Sequence, residues 1–159
     1  MANWVVIGIV SALHDLFTAM WIGGMLALLL AVLPAVRITI EKEQERKKLL
    51  ENIKKKLSIT TYVSIIGLAI TGLLLGKASS NFEGLMSFST NYGTMLSIKH
   101  IIVIFMVIIA LFRSIFIKKI AFKNKKVAEK LNFILLVVNI VFGITILILS
   151  GLIARMPGS

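Results

Sequence analysis

The chain has no cysteine, which removes disulfides, thiolate metal sites, iron–sulfur clusters and cysteine nucleophiles from consideration. Acids are scarce too: seven Asp and Glu in 159 residues, beside two histidines. No Ser/His/Asp set can meet at one depth and no glycine-rich phosphate loop is present, so no hydrolytic apparatus is visible. Charged residues make up only 16% of the chain, where a soluble globular domain carries roughly 25%. Hydrophobic residues make up 58%, and the mean hydropathy is +0.96. That balance excludes both a soluble enzyme domain and a disordered chain.

What is present is long uncharged runs. Residues 16–36 carry no charge over 21 positions, residues 57–76 none over 20, and residues 131–154 none over 24. A helix rising about 1.5 Å per residue spans a hydrocarbon core of about 30 Å with such a run. A fourth run, 94–117, holds Lys99 and His100 near one end and Arg113 near the other, around an apolar interior. We therefore expect an all-α membrane protein, a single domain over 1–159, forming an antiparallel bundle of four spanning helices at about 6–36, 57–77, 94–117 and 131–154. Residues 1–30 lack the basic start of a secretory signal, and their apolar stretch is too long for one, so they are expected to stay attached as the first helix.

The net charge of +11 is concentrated. Segment 37–56 holds eight Lys/Arg and four Glu, and segment 113–130 holds seven Lys/Arg and one Glu. Lys77, Lys99 and Arg155 are the only bases elsewhere. Two basic segments alternating with apolar runs place both in the cytoplasm of a multi-pass cell-membrane protein, with both termini outside. The basic balance thus needs no nucleic acid; its partners are the bilayer and its anionic headgroups. Glu43–Lys47 and Glu51–Lys55 are i,i+4 pairs in the favourable order, so the first two helices are expected to continue inward as a helical hairpin. Pro34 is placed to bend the first helix near its inner end. In the outer loop 78–93, Phe82, Phe88 and Tyr92 are expected at the membrane interface.

An ionisable residue inside a spanning segment is costly and becomes a functional candidate by default. The candidates are His14, Asp15, Lys99, His100 and Arg155, all expected near the outer ends of their helices. His14, Thr18, Trp21 and Met25 recur at helical spacing and share a face, with Asp15 rotated about 100° away. A purely structural reading competes at each position. His14 and Asp15 would then sit at the wet interface, Lys99 would snorkel, and the methionines would fill core or face lipid. The small residues of the second helix (Ser64, Gly67, Thr71, Gly72, Gly76) would permit close packing.

If the two histidines meet in the outer half of the bilayer, their chemistry is that of neutral imidazole ligands for copper or haem iron. Two imidazoles from facing helices would ligate haem b axially, with Thr18, Asn139 or Ser150 orienting a ring and Lys99 and Arg155 neutralising the propionates. Alternatively His14 and His100, with Met20, Met25 or Met95, would bind Cu(I), for which thioethers are good soft ligands. Two histidines are too few for a closed four-ligand zinc site.

The run from His14 through Trp21, Gly23 and Gly24 to Pro34 resembles the first helix of the copper-resistance D-type (CopD) membrane domain family. Tyr92, Gly93, Leu96 and Lys99 resemble that family's signature at the opening of a later helix. The histidine and lysine layout is also similar to the HemJ-type protoporphyrinogen oxidases, four-helix membrane proteins that carry haem b. Full-length CopD proteins have more spanning helices, and the HemJ pattern has an arginine directly after the proline, where Ala35 and Val36 precede Arg37 here. The resemblance implies copper handling at the membrane and carries His14, Trp21 and Lys99; with Met95 and Arg155 added on ligand and charge chemistry, the expected metal set is His14, His100 and Met95, with Trp21, Lys99 and Arg155 around the cofactor. His100 enters that set on helical position alone. The alternatives are a haem-dependent electron-transfer protein or oxidoreductase, and a structural subunit of a larger complex or homo-oligomer without a site.

Overall fold

The structure is a computed structural model that describes residues 3–78 and 86–156; Phe82 lies outside the described residues. These are all helix and short connections, with no strand among them. Four helices are long and apolar enough to cross a membrane: Trp4–Thr39, Glu43–Ala78, Asn91–Ile117 and Lys126–Ile153. Large apolar side chains such as Ile59, Ile66, Ile70, Ile104, Phe105, Ile108 and Ile148 stand on the outside. A helix in water hides such residues, whereas one in acyl chains presents them, because lipid tails are as apolar as the side chains themselves. The chain is a multi-pass membrane protein by this measure. It divides into two compact units, Met1–Leu75 and Gly76–Ser159.

The first unit opens with α1 (Asn3–Ala27), which passes through a π-helical turn (Leu28–Val32) into α2 (Leu33–Thr39). Pro34 accounts for the turn. It has no N–H for an i−4 bond, and its ring would press on the carbonyl four residues back. The chain widens there: Leu33 N–H donates to Leu28, five residues back rather than four. The helix accommodates its proline through this wider turn.

Extended Ile40 then ends α2, and α3 (Glu43–Ala78) begins with Glu43 and Glu45 in its first turn, where the positive end of the helix dipole favours acids. The Lys47 ammonium bonds the Glu43 carboxylate, and Lys42 reaches Glu45 at 3.2 Å. The basic segment is therefore the helical start of α3 rather than open loop. Further along, α3 buries Ser64, Gly67 and Thr71, a seam of small residues at i, i+3 and i+7. On α1, Trp21, Ile22 and Met25 are buried. Small residues on one helix allow the close backbone approach on which association in lipid depends. Closest is Gly67: a Cβ there would lie 2.6 Å from Phe17 Cζ.

In the second unit, α4 (Asn91–Lys123) packs along α5 (Lys125–Ile153). Their junction is one residue. Asn124 N–H donates to the Ile120 carbonyl at 2.8 Å, and its side-chain oxygen accepts from Val127 N–H at 3.2 Å. It closes one helix and caps the next, a role for which asparagine is well suited. Helix therefore continues through most of segment 113–130, which charge density marks as a loop. Arg113 is not an inner terminus of α4: its Nε donates to Asn132 Oδ1 on α5 at 2.9 Å. Deeper in the pair, Met106 and Asn139 are 1% and 0% exposed, and Asn139 Nδ2 reaches the Met106 carbonyl at 3.4 Å.

The start of α4 is clamped. Thr90, extended, accepts from Gly93 N–H on its hydroxyl at 3.0 Å. Ser97 Oγ donates to the Ser87 carbonyl at 2.8 Å and accepts from Ser87 N–H at 2.9 Å. A Cβ at Gly93 would meet the Ser87 carbonyl oxygen and Thr90 Oγ1 at 3.1 Å each, a tight fit that glycine avoids where the preceding segment passes close.

Candidate functional site

His14 lies half-buried on the α1 face that meets α3, one turn before Phe17 and two before Trp21. Its backbone carbonyl accepts the Thr18 hydroxyl at 2.9 Å. Its ring is held from across the helix pair, with Nδ1 2.9 Å from Thr71 Oγ1. Thr71 in turn donates to the Gly67 carbonyl of its own helix at 2.7 Å. Asp15, the next residue, is exposed, as expected for a position about 100° around the helix. The ring also lies 3.5 Å, through Cε1, from where a Cβ on Gly72 would sit, an ordinary van der Waals spacing.

Three contacts define the α1–α3 register: His14 to Thr71, Phe17 over Gly67, and Gly24 against Leu57. Residue numbers rise along one helix as they fall along the other, so the two run antiparallel. Trp21 and Ser64 lie seven residues beyond His14 and before Thr71, and so fall at a common level two turns away, about 10 Å along the axis. Trp21 is 3% exposed and Ser64 0%. Neither Trp21 Nε1 nor Ser64 Oγ has a hydrogen-bond partner among the described residues. The α1–α3 seam thus carries two polar levels. At one, the imidazole is bonded to Thr71; at the other, a buried indole N–H stands at the level of a buried hydroxyl. Met25 is buried one turn past Trp21, whereas Met20 is 37% exposed on another face.

In the second unit Met95, Lys99 and His100 occupy the first turns of α4 and are half-buried, while Arg155 is exposed just past the end of α5. Asn139 turns its amide nitrogen toward the Met106 carbonyl, and its Oδ1 is buried without a partner among the described residues. Gly93 has the structural role described above, and Met106 is core. Among the described residues no three His, Cys, Asp or Glu side chains gather as a metal cage.

Of the hydroxyls and amides with which sequence spacing would orient an imidazole (Thr18, Asn139, Ser150), Thr18 bonds the His14 backbone. The ring is oriented instead by Thr71, which the sequence marks only as one of several small residues on its helix. The signal available was the i, i+3, i+7 recurrence of Ser64, Gly67 and Thr71, which defines the face but not which member meets the histidine. The chain matches no family model, no curated protein and no solved structure.

Proposed function

We propose that the protein handles copper at the membrane, binding it through the His14 imidazole and moving or buffering it at the outer leaflet. In this reading the basic segments 37–56 and 113–130 face the cytoplasm and both termini lie outside. The observation that carries it is the His14–Thr71 bond. An ionisable ring inside a spanning helix pair is oriented by a dedicated side chain on the neighbouring helix. Membrane helices rarely keep such groups without a function, and oriented imidazoles are common metal ligands. Copper is favoured over harder cations because imidazole and thioether donors suit it and the neighbouring carboxylate, Asp15, is exposed about 100° around the helix; Met95 and His100 are the candidates to complete the set. The exposed apolar faces are covered by acyl chains, by further copies of the chain, or by a larger membrane complex.

A second reading, haem b with His14 and His100 as its imidazole ligands, is supported by ligand economy. A porphyrin supplies four nitrogens and asks the protein for only one or two imidazoles, which is what a chain with two histidines and no cysteine offers. Lys99 and Arg155 would then meet the propionates.

One experiment separates the readings. Purified protein is incubated with Cu(I) under reducing conditions or with haemin, desalted, and read by elemental analysis and optical spectrum, alongside His14→Ala. Copper retained by the wild type and lost in the variant supports the first reading. A Soret band that depends on His14 supports the second. Equal retention by both proteins overturns the assignment of His14, and retention of neither overturns it and leaves a structural subunit.

A further inference from the structure

From the hydrogen-bond chain at His14 we infer that Thr71 is a positioning residue that locks the neutral imidazole as its Nδ1–H tautomer and puts the lone pair on Nε2. The inference deepens the reading above: if His14 is a ligand, it binds through Nε2.

One hydrogen decides which way these bonds run. A threonine hydroxyl has a single proton to donate and two lone pairs. Thr71 Oγ1 lies 2.7 Å from the Gly67 carbonyl oxygen, the usual distance for an O–H···O bond. Two oxygens at that separation with no proton between them would face each other lone pair to lone pair, a repulsive arrangement. The hydroxyl proton therefore belongs to the Gly67 bond; the more distant Leu68 carbonyl, at 3.5 Å, does not compete. Thr71 Oγ1 is left with lone pairs only, and His14 Nδ1 is 2.9 Å away. The proton on that contact comes from the ring. Nδ1 is the N–H of the neutral imidazole, and Nε2 is its basic nitrogen.

The relay runs from ring N–H to hydroxyl to helix carbonyl, so the ring's orientation is tied to the α3 backbone. Thr71 is 5% exposed, which keeps water from substituting for it. The neighbouring Gly72 leaves ordinary van der Waals room along the Cε1 edge of the ring. Outer-sphere partners of this kind fix a ligand's tautomer and direction, and their loss typically weakens metal affinity by about 10- to 100-fold.

The tautomer is read without any metal. Histidine-selective ¹⁵N labelling of the metal-free protein in lipid bilayers, at about pH 8 where imidazoles are neutral, distinguishes the two nitrogens by their shifts and two-bond proton couplings; His14→Asn assigns the signals. The expected wild-type pattern is Nδ1–H, opposite to the tautomer a solvated side chain prefers. Thr71→Val should shift His14 toward the Nε2–H form, and Thr71→Ser should restore Nδ1–H. An Nε2–H pattern in the wild type, or an unchanged pattern in Thr71→Val with the fold intact by circular dichroism, overturns the inference. Cu(I) titration of the same samples then tests the underlying reading separately. Nδ1–H with no copper bound sustains the tautomer and defeats the copper assignment. Copper bound through His14 with the wrong tautomer does the reverse. A 10-fold or greater loss of affinity in Thr71→Val, recovered in Thr71→Ser, sustains both.

Discussion

Replacing Gly67 with alanine adds one methyl group at the tightest point of the α1–α3 seam. The new Cβ would lie 2.5 Å from Phe17 Cδ2 and 2.6 Å from Cζ, where ordinary contact begins near 3.4 Å. An overlap of nearly 1 Å against a rigid ring has two outlets: Phe17 leaves its rotamer, or the helices separate. Overpacking of this kind costs about 1–3 kcal/mol, and alanine returns about 1 kcal/mol of helix propensity. The expected net destabilisation is therefore about 1–2 kcal/mol. Helix separation would also stretch the His14–Thr71 bond, which lies one turn further along the same seam. Gly72→Ala is the control, since its Cβ would stand 3.5 Å from the His14 ring; its change should stay within about 0.5 kcal/mol or be stabilising. The assay is reversible unfolding in mixed micelles, with Phe17→Leu added to Gly67→Ala as a double-mutant cycle. Recovery of most of the loss in the double variant is expected. Equal stability of Gly67→Ala and wild type, or a larger loss at Gly72, would refute the register on which the site is built.

Other consequences follow from the same contacts. Asn124→Ala removes the residue that both ends α4 and caps α5, and should cost about 1 kcal/mol, with new proteolytic cleavage near residue 124 as the readout. Asn132→Leu strands the Arg113 guanidinium inside the α4–α5 pair; thermal unfolding should show it more destabilised than the double variant Arg113→Leu/Asn132→Leu, because an unpaired charge costs more than a lost pair. The cysteine-free sequence makes single-cysteine labelling clean: Lys47→Cys should react with an impermeant maleimide only after the membrane is opened, and Ser89→Cys in intact cells. Labelling of Lys47→Cys from outside would reverse the proposed orientation.

The apolar runs made the four membrane-length helices legible, because a helix pairs the backbone of twenty uncharged residues within one segment and that length matches the hydrocarbon core. The Glu43–Lys47 pair and the disturbance at Pro34 were legible for the same local reason: both depend on residues within one or two turns. The helical stretch through 113–130 was not. Charge density there suits a solvated loop, yet Lys and Arg are good helix formers, and one asparagine suffices to turn the chain. Arg113 appeared as a boundary residue because its partner, Asn132, is on the next helix. Thr71 was hidden for the same reason at longer range: it lies 57 residues from His14, and nothing in the spacing of either helix states their register.

X-ray absorption at the copper edge on the Cu(I)-loaded protein tests most directly whether His14 is a metal ligand. Imidazole scattering is expected in the wild-type spectrum and should disappear in His14→Ala. An identical copper environment in the two proteins would contradict that role.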